Sequence, residues 1–446
     1  MNHSDSERIA SFLESANLIL IKDIASADLV IINTCGIRQA AENRVYSQVH
    51  NLRKAGNNCK IIITGCIAHR ADVQKRLKGK VDAFCETKDI HHILSRIVHD
   101  VFFLNPNTPA TKQETIIDTA ISNDAERNNE SLSKEHISYL SIQPKHTSNF
   151  QALVPIMTGC NNFCSYCVVP YARGREISRS ANDIITEVSG LVRNGYKQIT
   201  LLGQNVNSYA SPDDTAENET IKFPGLLEKI NRIPGKFWIT FVSSHPKDMS
   251  DELIETVAKC KKACEWVHLP VQAGDDTVLK NMNRHYTRRH YLDLLRKIRI
   301  SFEKYKPELT YSITSDIIVG FPGETELQFE QSAILMRKAK FDMVYFGQFS
   351  PRPRTQAYDM QDTVSNLEKE HRESMLNEIL KKTALANNKK YIGKKLEVLI
   401  EQEKDGYYLG KTRSQKNIKF PAKKKGLVGK FTTVLIMKAN TWNLEG

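Results

Sequence analysis

Short apolar runs alternate with amphipathic helical stretches along most of the chain. In the first hundred residues the pattern predicts, in order, a helix at Ile9 to Leu13, a strand at Leu29 to Asn33, a helix at Ala40 to Leu52 and a strand at Ile61 to Thr64. Strands joined through helices form parallel sheets, so residues 1–104 are expected to fold as an open parallel α/β domain. Each strand runs into a cysteine, Cys35 or Cys66, at the sheet edge where such domains bind ligands.

Residues 105–150 interrupt this pattern, because they are rich in polar residues and have little apolar periodicity. Such a composition is typical of a linker. In residues 151–388, six apolar runs recur with helical stretches between them, one of which is predicted over Asp251 to Cys264. Six such repeats predict a partial (β/α)6 barrel of the TIM type, with active residues at the carboxyl ends of its strands. The runs are Ala152 to Met157, Gln198 to Gly203, Trp238 to Val242, Trp266 to Val271, Tyr311 to Val319 and Met343 to Phe349.

After a charged helical stretch, Leu367 to Lys390, the pattern changes to short strands separated by turn signals. This change predicts a small antiparallel β-barrel over residues 389–446. Its predicted strands are Lys395 to Glu401, Gly406 to Thr412, Ile418 to Phe420 and Thr432 to Lys438.

The distribution of charge indicates an anionic partner. The net charge is +12, and the segment from Lys389 to Lys430 holds 13 Lys or Arg against 4 Asp or Glu. A basic patch of this kind is typical of nucleic-acid binding, with a diffuse positive surface as the alternative. No stretch approaches the roughly 18 apolar residues of a membrane span. The polar, acidic start lacks a secretory pattern, so a cytoplasmic location is expected.

Three cysteines, Cys160, Cys164 and Cys167, have the spacing CxxxCxxC. Three thiolates from one loop can hold three irons of a 4Fe-4S cubane and leave the fourth iron open. The alternatives are a zinc site, which usually needs a fourth Cys or His ligand nearby, and three buried cysteines. No fourth ligand follows within the loop, so the spacing favours an iron-sulfur cluster.

The sequence around these cysteines resembles the radical S-adenosylmethionine site of the methylthiotransferase family. The resemblance rests on VPIMTGCNNFCSYCVVPYARGREISR, from Val154 to Arg179, and it continues in the family's order along the whole chain. The C-terminal barrel is similar to the family's RNA-binding TRAM domain. The further motifs are INTC at Ile32 to Cys35, TGC at Thr64 to Cys66, LLGQNVNSY at Leu201 to Tyr209, SSHP at Ser243 to Pro246, HLPVQ at His268 to Gln272 and DIIVGFPGET at Asp316 to Thr325.

The resemblance implies an enzyme that transfers a methylthio group to tRNA. RGRE, at Arg173 to Glu176, and GQNVNSY are most similar to the branch that modifies C2 of N(6)-dimethylallyladenosine beside the anticodon. Two 4Fe-4S clusters are implied, one on the CxxxCxxC loop and one on ligands that include Cys35 and Cys66. S-adenosylmethionine is implied as the source of the radical that removes the C2 hydrogen. The implied partners are tRNA, an electron donor such as flavodoxin or ferredoxin and a sulfur source, with no membrane and a monomeric chain.

Cofactor contacts are expected where barrel strands end. The candidates are Gln204, Asn205, Ser243, His245 and Gln272, and the alternative for each is an ordinary polar cap. The turn Gly320 to Gly323 has two interpretations, close approach to the cofactor and backbone freedom alone. No role is assigned to Cys59, Cys85, Cys260 and Cys264. The last two lie four residues apart on a predicted helix and are expected to face a core.

Contacts to tRNA phosphates are expected from basic side chains in two places, with solvated charges as the alternative. The candidates are Arg173, Arg175 and Arg179 after the cysteine loop and Lys423, Lys424 and Lys425 on a loop of the C-terminal barrel. Tyr407 and Tyr408 are considered for base stacking, and one of the two is expected in the core.

Two departures from the family pattern bear on these expectations. Where the family has RPGT after the last barrel strand, this chain has RPRT, so Arg354 replaces a flexible glycine. The family also has a first N-terminal cysteine just before a Met-Asn pair, and this sequence starts at that pair, Met1-Asn2. We therefore expect the N-terminal domain to be truncated at its start, with the upstream reading frame continuing to a strand that ends in Gly-Cys-Gln.

Two alternatives to the main function remain open. One is a related radical methylthiotransferase that acts on a ribosomal protein or on another modified adenosine. The other is a catalytically impaired RNA-binding homologue that lacks the first N-terminal cysteine. Iron content separates the second alternative from active enzymes, because two cubanes hold about eight irons and one holds about four.

Overall fold

A computed structural model describes residues 1–34, 36, 39–90, 139–212, 220–422 and 424–446. The chain forms two compact units. The first comprises Met1–Thr147, Thr158–Asn161 and Cys167–Ile177, and the second comprises Ser148–Met157, Asn162–Tyr166 and Ser178–Gly446. Cys35, Lys423 and most of the segment predicted as a linker lie outside the described residues.

The first unit is built on a parallel sheet with the strand order β1-β2-β3. Ile61 and Ile63 of β2 pack with Val49 of α2, whereas Ile62 packs with Ile9 of α1. Because both faces of β2 are covered, its sequence is a continuous apolar run. The elements are α1 (Asn2–Ser15), β1 (Leu29–Thr34), α2 (Gln39–Lys54), β2 (Lys60–Gly65), α3 (Ala71–Leu77), β3 (Ala83–Phe84) and α4 (Val169–Arg173).

The edge of β1 away from β2 has no strand partner among the described residues. Beside this edge lies a groove of about 410 Å³, lined mainly by apolar side chains of α1, of the segment Leu18 to Lys22 and of β1. Ile19 and Leu20 in that segment are largely exposed. The edge therefore presents backbone donors and acceptors that no strand satisfies.

The second unit contains six parallel strands in sequential order, as expected for a partial barrel. They form the sheets β4-β7-β10 and β11-β12-β13, and a parallel bridge from Ile239 to Ala263 leads from β10 toward β11. The six strands are β4 (Gln151–Pro155), β7 (Gln198–Leu202), β10 (Trp238–Phe241), β11 (Trp266–His268), β12 (Ser312–Val319) and β13 (Met343–Gln348). Shorter strands are β5 (Met157–Thr158), β6 (Ile177–Ser178), β8 (Ala210–Pro212) and β9 (Thr220–Lys222).

Helices join the barrel strands, and none of the helices described in the chain is both long and apolar enough to cross a membrane. The helices between barrel strands are α5 (Ala181–Arg193), α6 (Phe223–Arg232), α7 (Asp251–Lys259), α8 (Asp276–Asn281), α9 (Arg288–Tyr305) and α10 (Glu326–Ala339), and α11 (Asn366–Lys389) follows the last barrel strand. The alternation of strands and helices confirms the predicted α/β fold.

The helix predicted over Asp251 to Cys264 is too long. α7 ends at Lys259, and Cys260 already has an extended backbone. The amide of Cys264 then donates to the carbonyl of Ile239 at 2.9 Å, which aligns the chain with β10 before β11 begins. Cys260 and Cys264 therefore do not share a helix, although both are buried as expected. Burial raises the pKa of the Cys260 thiol to about 11 and that of the Cys264 thiol to about 12.

The C-terminal part of the second unit is a curled sheet in the order β17-β14-β15-β16-β19-β18. Its pairs are antiparallel except for β16 with β19, which confirms the predicted antiparallel domain. Its strands are β14 (Lys395–Lys404), β15 (Tyr407–Thr412), β16 (Asn417–Pro421), β17 (Phe431–Leu435), β18 (Lys438–Ala439) and β19 (Leu444–Glu445).

Buried polar and aromatic contacts join this sheet to the barrel. Glu265, 1% exposed, accepts hydrogen bonds from Lys306 Nζ at 2.8 Å and from Arg413 Nη2 at 2.8 Å. Burial alone would raise the pKa of Glu265, but the hydrogen bonds and charges of Arg413 and Lys306 outweigh it and lower the pKa. The rings of Trp238 and Phe431 lie 4.8 Å apart. The sheet and the barrel are thus packed as one body.

Arg354, in the turn after β13, has a φ of 73°, which is the conformation that the family's glycine adopts easily. An L-residue in this conformation costs about 1–2 kcal/mol, and the greater chain entropy of glycine offsets about 0.5–1 kcal/mol of that. We expect Arg354→Gly to raise the free energy of unfolding by about 0.5–1 kcal/mol, measured by denaturant titration. Arg354→Ala removes the same side chain without relieving the backbone, so equal stability of the two variants would contradict this prediction.

Candidate active site

The loop that carries Cys160 is held closed by the segment Gly174 to Glu176 of the same unit. The amide of Cys160 donates to the carbonyl of Gly174 at 3.1 Å. Asn161 and Glu176 exchange two hydrogen bonds between amide and side chain, each 3.2 Å long. Gly159 has a φ of 75°, and a β-carbon there would lie 1.8 Å from a backbone oxygen of this segment. Much of the RGRE motif therefore shapes the cysteine loop.

Residues 162–166 belong to the second unit, where the segment Asn281 to Arg284 holds them. The amide of Ser165 donates to the carbonyl of Met282 at 3.0 Å. The side-chain amide of Asn283 donates to the carbonyl of Phe163 at 2.9 Å. Phe163 and Asn283 both have positive φ values, 46° and 56°. The sequence carried no signal for this clamp, because its contacts join segments about 120 residues apart.

The structure assigns Cys160 and Cys167 to the first unit and Cys164 to the second. Cys160 is buried, the other two are partly exposed, and all three are thiols rather than disulfides. Within the described ranges, no three His, Cys, Asp or Glu side chains are close enough together to hold one metal ion. A cubane takes each thiolate on a different iron, so its ligands need not surround one ion. Ligation by these three cysteines stays a prediction.

The register of the first sheet brings the ends of β1 and β2 side by side. Thr34 pairs with Gly65, the residue before Cys66. A β-carbon on Gly36 would lie 3.0 Å from the β-carbon of Cys66. The residues that flank Cys35, which itself lies outside the described residues, are therefore next to Cys66. This arrangement is consistent with the second cluster that the resemblance implies.

Three of the buried polar atoms that have no hydrogen-bond partner in the described part of the chain lie after β7 and β10. They are Asn205 Oδ1, Ser244 Oγ and His245 Nε2. Asn205 uses its amide nitrogen to donate to Asp248 Oδ2 at 2.7 Å, so only its oxygen is unsatisfied. Each buried polar atom without a partner costs about 1–3 kcal/mol, so a polar ligand that supplied partners would stabilise this site. S-adenosylmethionine, with amino, carboxylate and hydroxyl groups, fits that need.

His245 is held in one protonation state. Its Nδ1 accepts a hydrogen bond from the amide of Lys247 at 3.1 Å, which leaves Nε2 to carry the proton of the neutral ring. Burial, reinforced by the positive charges of Arg284 and Lys247, lowers the pKa of His245 to about 2. The ring also packs edge-on against Tyr286, with centroids 5.7 Å apart. At neutral pH, His245 therefore offers one N–H donor to a ligand.

Two of the residues predicted to contact the cofactor, Ser243 and Gln272, have left-handed backbones, with φ values of 69° and 70°. The amide of Gln272 donates to the carbonyl of Asp316 at 2.9 Å, which fixes it beside β12. Backbone strain of this kind is concentrated at functional sites. Gln204 follows β7 and is partly exposed. The unsatisfied hydroxyl of the SSHP motif belongs to Ser244 and not to Ser243, and the motif alone does not distinguish the two serines.

The structure corrects part of the predicted phosphate contacts. Arg173 is buried and pairs with Asp5 Oδ2 at 2.6 Å, and Arg179 is buried and pairs with Glu187 Oε2 at 2.7 Å. Both guanidinium groups form ion pairs inside the protein, so they are not available to contact RNA phosphates. Arg175 is exposed.

Packing accounts for the glycine that begins the turn after β12. Gly320 has a φ of 69°, and a β-carbon there would lie 2.3 Å from Cγ of Lys369. Its amide donates to Glu324 Oε2 at 2.7 Å, and Arg372 donates to the same oxygen at 2.9 Å. These contacts favour the backbone interpretation of this glycine.

The C-terminal sheet exposes basic and aromatic side chains. Lys424 and Lys425 are exposed. Tyr407 is 39% exposed, and Lys419 Nζ lies 3.9 Å from the centre of its ring. Tyr408 is 1% exposed, which confirms that one of the two tyrosines is in the core.

Three family models match the chain. They are Uncharacterized protein family UPF0004 over residues 1–85, Radical SAM superfamily over residues 154–336 and TRAM domain over residues 389–446. Among solved structures, a radical S-adenosylmethionine methyltransferase from Kitasatospora setae is similar with a TM-score of 0.49 and 13% identity, over 80% of this chain and 67% of that chain.

Curated relatives match over the full chain. The tRNA-2-methylthio-N(6)-dimethylallyladenosine synthase of Clostridium botulinum is 37% identical over 456 residues, which cover 100% of this chain and 94% of the relative. The enzyme of the same description from Clostridium perfringens is 38% identical over 455 residues, with 100% and 95% covered. The chain therefore belongs to the family of the tRNA-2-methylthio-N(6)-dimethylallyladenosine synthases.

Proposed function

We propose that this protein transfers a methylthio group to C2 of N(6)-dimethylallyladenosine in tRNA. Family membership supplies the reaction class. The observation in the structure that carries the proposal is the set of buried, unsatisfied polar atoms after β7 and β10, at the end of the barrel where such folds bind ligands. These atoms match the polar groups of S-adenosylmethionine.

In this proposal Cys160, Cys164 and Cys167 hold one 4Fe-4S cluster, and Cys35 and Cys66 contribute to a second. The first cluster and S-adenosylmethionine together supply the one-electron chemistry that removes hydrogen from an unactivated ring carbon. An external electron donor, such as flavodoxin or ferredoxin, and a sulfur source complete the reaction. The chain acts as a monomer.

The residues at the strand ends bind and orient S-adenosylmethionine. His245 donates from Nε2, because its ring is neutral at physiological pH. Asn205 accepts through Oδ1, since its nitrogen is already bonded to Asp248. Ser244 can donate or accept through its hydroxyl. This combination of one donor, one acceptor and one dual group suits a ligand that carries both hydroxyl and carboxylate groups.

The test uses the full-length protein, purified without oxygen, with an external reductant and tRNA from a strain that lacks this gene. Formation of 2-methylthio-N(6)-dimethylallyladenosine, detected by nucleoside mass spectrometry, is the expected result. Methylthiolation of a ribosomal protein or of a different adenosine instead would assign the chain to another branch of the family. Binding of tRNA with no cleavage of S-adenosylmethionine would identify a non-catalytic RNA-binding protein.

Lys423, Lys424 and Lys425 are expected to contact RNA phosphates. Replacing all three with alanine should weaken tRNA binding and reduce the slope of log K against log salt by up to about one unit per lost contact, because fewer counterions are released. Binding titrations at several salt concentrations measure this slope. Lys236, which contacts Glu397 at the interface between sheet and barrel, provides a matched control, since Lys236→Ala removes a lysine from an existing ion pair. An unchanged slope in the triple variant would place the phosphate contacts elsewhere.

A further inference from the structure

Arg284 is a buried cation at the cysteine loop of the second unit. It is 7% exposed. Its Nη1 lies 3.5 Å from Sγ of Cys164 and 3.5 Å from the hydroxyl of Tyr166. Its Nη2 donates to the carbonyl of Pro270 at 2.8 Å, and its Nε donates to the hydroxyl of Tyr286 at 2.8 Å. All of these partners except the Cys164 sulfur are neutral groups.

The position of Arg284 relative to Cys164 is fixed by the backbone as well as by its own contacts. The three preceding residues bind the loop, since Ser165 donates to the carbonyls of Met282 and Asn281 at 3.0 and 2.8 Å. The guanidinium is held from the other side by Pro270, which follows β11. The charge therefore stays beside the sulfur without depending on one flexible side-chain torsion.

Arg284 also differs from the other buried arginines that have been described above. Arg173, Arg179 and Arg372 each pair with a carboxylate. In the part of the chain that the structure describes, no carboxylate forms an ion pair with Arg284. A buried charge without a counter-ion is strongly destabilising. Among the described groups that contact Arg284, only the Cys164 sulfur would carry a compensating negative charge, as a thiolate ligand of a cluster.

We propose that Arg284 is a positioning residue whose fixed positive charge beside Cys164 raises the reduction potential of the cluster that Cys164 binds. The inference rests on the proposed function, which assigns Cys164 to that cluster. When one electron from an external reductant enters the cluster, the cluster gains one negative charge, and no bond to Arg284 forms or breaks. A nearby cation stabilises the more negative, reduced form, and hydrogen bonds to the sulfur act in the same direction.

Three variants separate the charge from its structural context. Arg284→Gln removes the charge and keeps a hydrogen-bond donor, while Arg284→Lys keeps the charge and loses the planar fork. Arg413→Gln is the matched control, because Arg413 is a partly buried arginine in the turn after β15 that pairs with Glu265. Its removal costs stability without changing the charge beside the cysteine loop.

The experiment is a redox titration of each full-length protein, reconstituted anaerobically with iron and sulfide and followed by electron paramagnetic resonance. The signal that changes on addition of S-adenosylmethionine identifies the cluster. For Arg284→Gln we expect a roughly tenfold lower equilibrium constant for reduction, a drop of about 59 mV for one electron. The reduction potential of Arg284→Lys should fall by less than half of that amount, and the potential of Arg413→Gln should match that of the unaltered protein.

Each result of this experiment either supports or contradicts the role proposed for Arg284. An unchanged potential in an iron-replete Arg284→Gln protein overturns the role of Arg284 and leaves the proposed function intact. If Arg284→Gln fails to hold iron, Arg284→Lys decides, because a potential close to that of the unaltered protein supports the charge effect and a full tenfold loss refutes it. Retention of the S-adenosylmethionine-responsive signal in Cys164→Ala would instead refute the ligand assignment on which the inference rests.

Discussion

Cys164→Ala is expected to abolish the reductive cleavage of S-adenosylmethionine to 5'-deoxyadenosine while the protein stays folded. Cys164 is partly exposed on a loop that main-chain hydrogen bonds of Ser165 hold in place, so loss of the thiol alone should not unfold the loop. Loss of one of three thiolates leaves two ligands for a cluster that needs three. Cleavage is measured by mass spectrometry of 5'-deoxyadenosine, and folding by circular dichroism.

The matched control is Cys260→Ala, which also removes one thiol from the second unit. Cys260 is packed in the hydrophobic core of the barrel, where burial raises the pKa of its thiol. This variant should keep its iron and its cleavage activity. Cleavage by Cys164→Ala at the rate of the control would remove Cys164 from the cluster.

Glu265→Ala is expected to cause the largest loss of stability, about 3–5 kcal/mol, because it leaves the buried Lys306 and the partly buried Arg413 without their shared counter-ion. Lys306 Nζ and Arg413 Nη2 both lie 2.8 Å from Glu265 Oε1, and Lys306 is itself buried. The free energy of unfolding from denaturant titration gives the cost. Because Arg413 belongs to the C-terminal sheet, partial unfolding of that sheet should accompany the loss.

Lys236→Ala is the control, since it breaks the ion pair of Lys236 with Glu397 at the same interface, where the Lys236 side chain is 67% exposed. An exposed pair of this kind contributes roughly 0–1 kcal/mol. The losses in free energy of unfolding of the two variants should therefore differ several-fold. Similar losses would contradict a special role for Glu265.

The Glu265 cluster also has a defined pH dependence. The pKa of Glu265 in the folded protein lies below its value in the unfolded chain, which is about 4.3 for an ordinary glutamate. Its contribution to stability is therefore complete above that unfolded value and is lost as the pH falls through the lower folded pKa. Glu265→Ala should flatten the acid limb of the stability profile.

The sequence was sufficient for the features that depend on local pattern. The apolar runs predicted all six barrel strands, and the change to short strands with turns predicted the C-terminal domain. The strand ends were also located well, because Asn205 and His245 follow strands whose bounds the pattern defined. Strand periodicity explains this success.

The failures are at positions decided by contacts between distant segments. α7 ends at Lys259 because the chain must turn to align with β10, and no local signal marks that point. Arg173 was expected to face RNA, but it is neutralised by Asp5, 168 residues away. Arg284 has no local sequence signal, because its significance depends on a sulfur 120 residues earlier in the chain. Burial and pairing of charges are tertiary properties that a single sequence does not display.

The contacts of Glu265, Trp238 and Phe431 have a consequence for how a substrate base is chosen. Because they pack the C-terminal sheet and the barrel together, we expect the distance from Lys424 to the strand ends to be set when the protein folds. A flexible tether would let bases at many distances enter by chance. If Lys424 holds a phosphate of the RNA, as proposed above, a fixed distance selects a nucleoside by its spacing from that phosphate. Shortening or lengthening the bound RNA between those two points should then prevent modification even when the target base is intact.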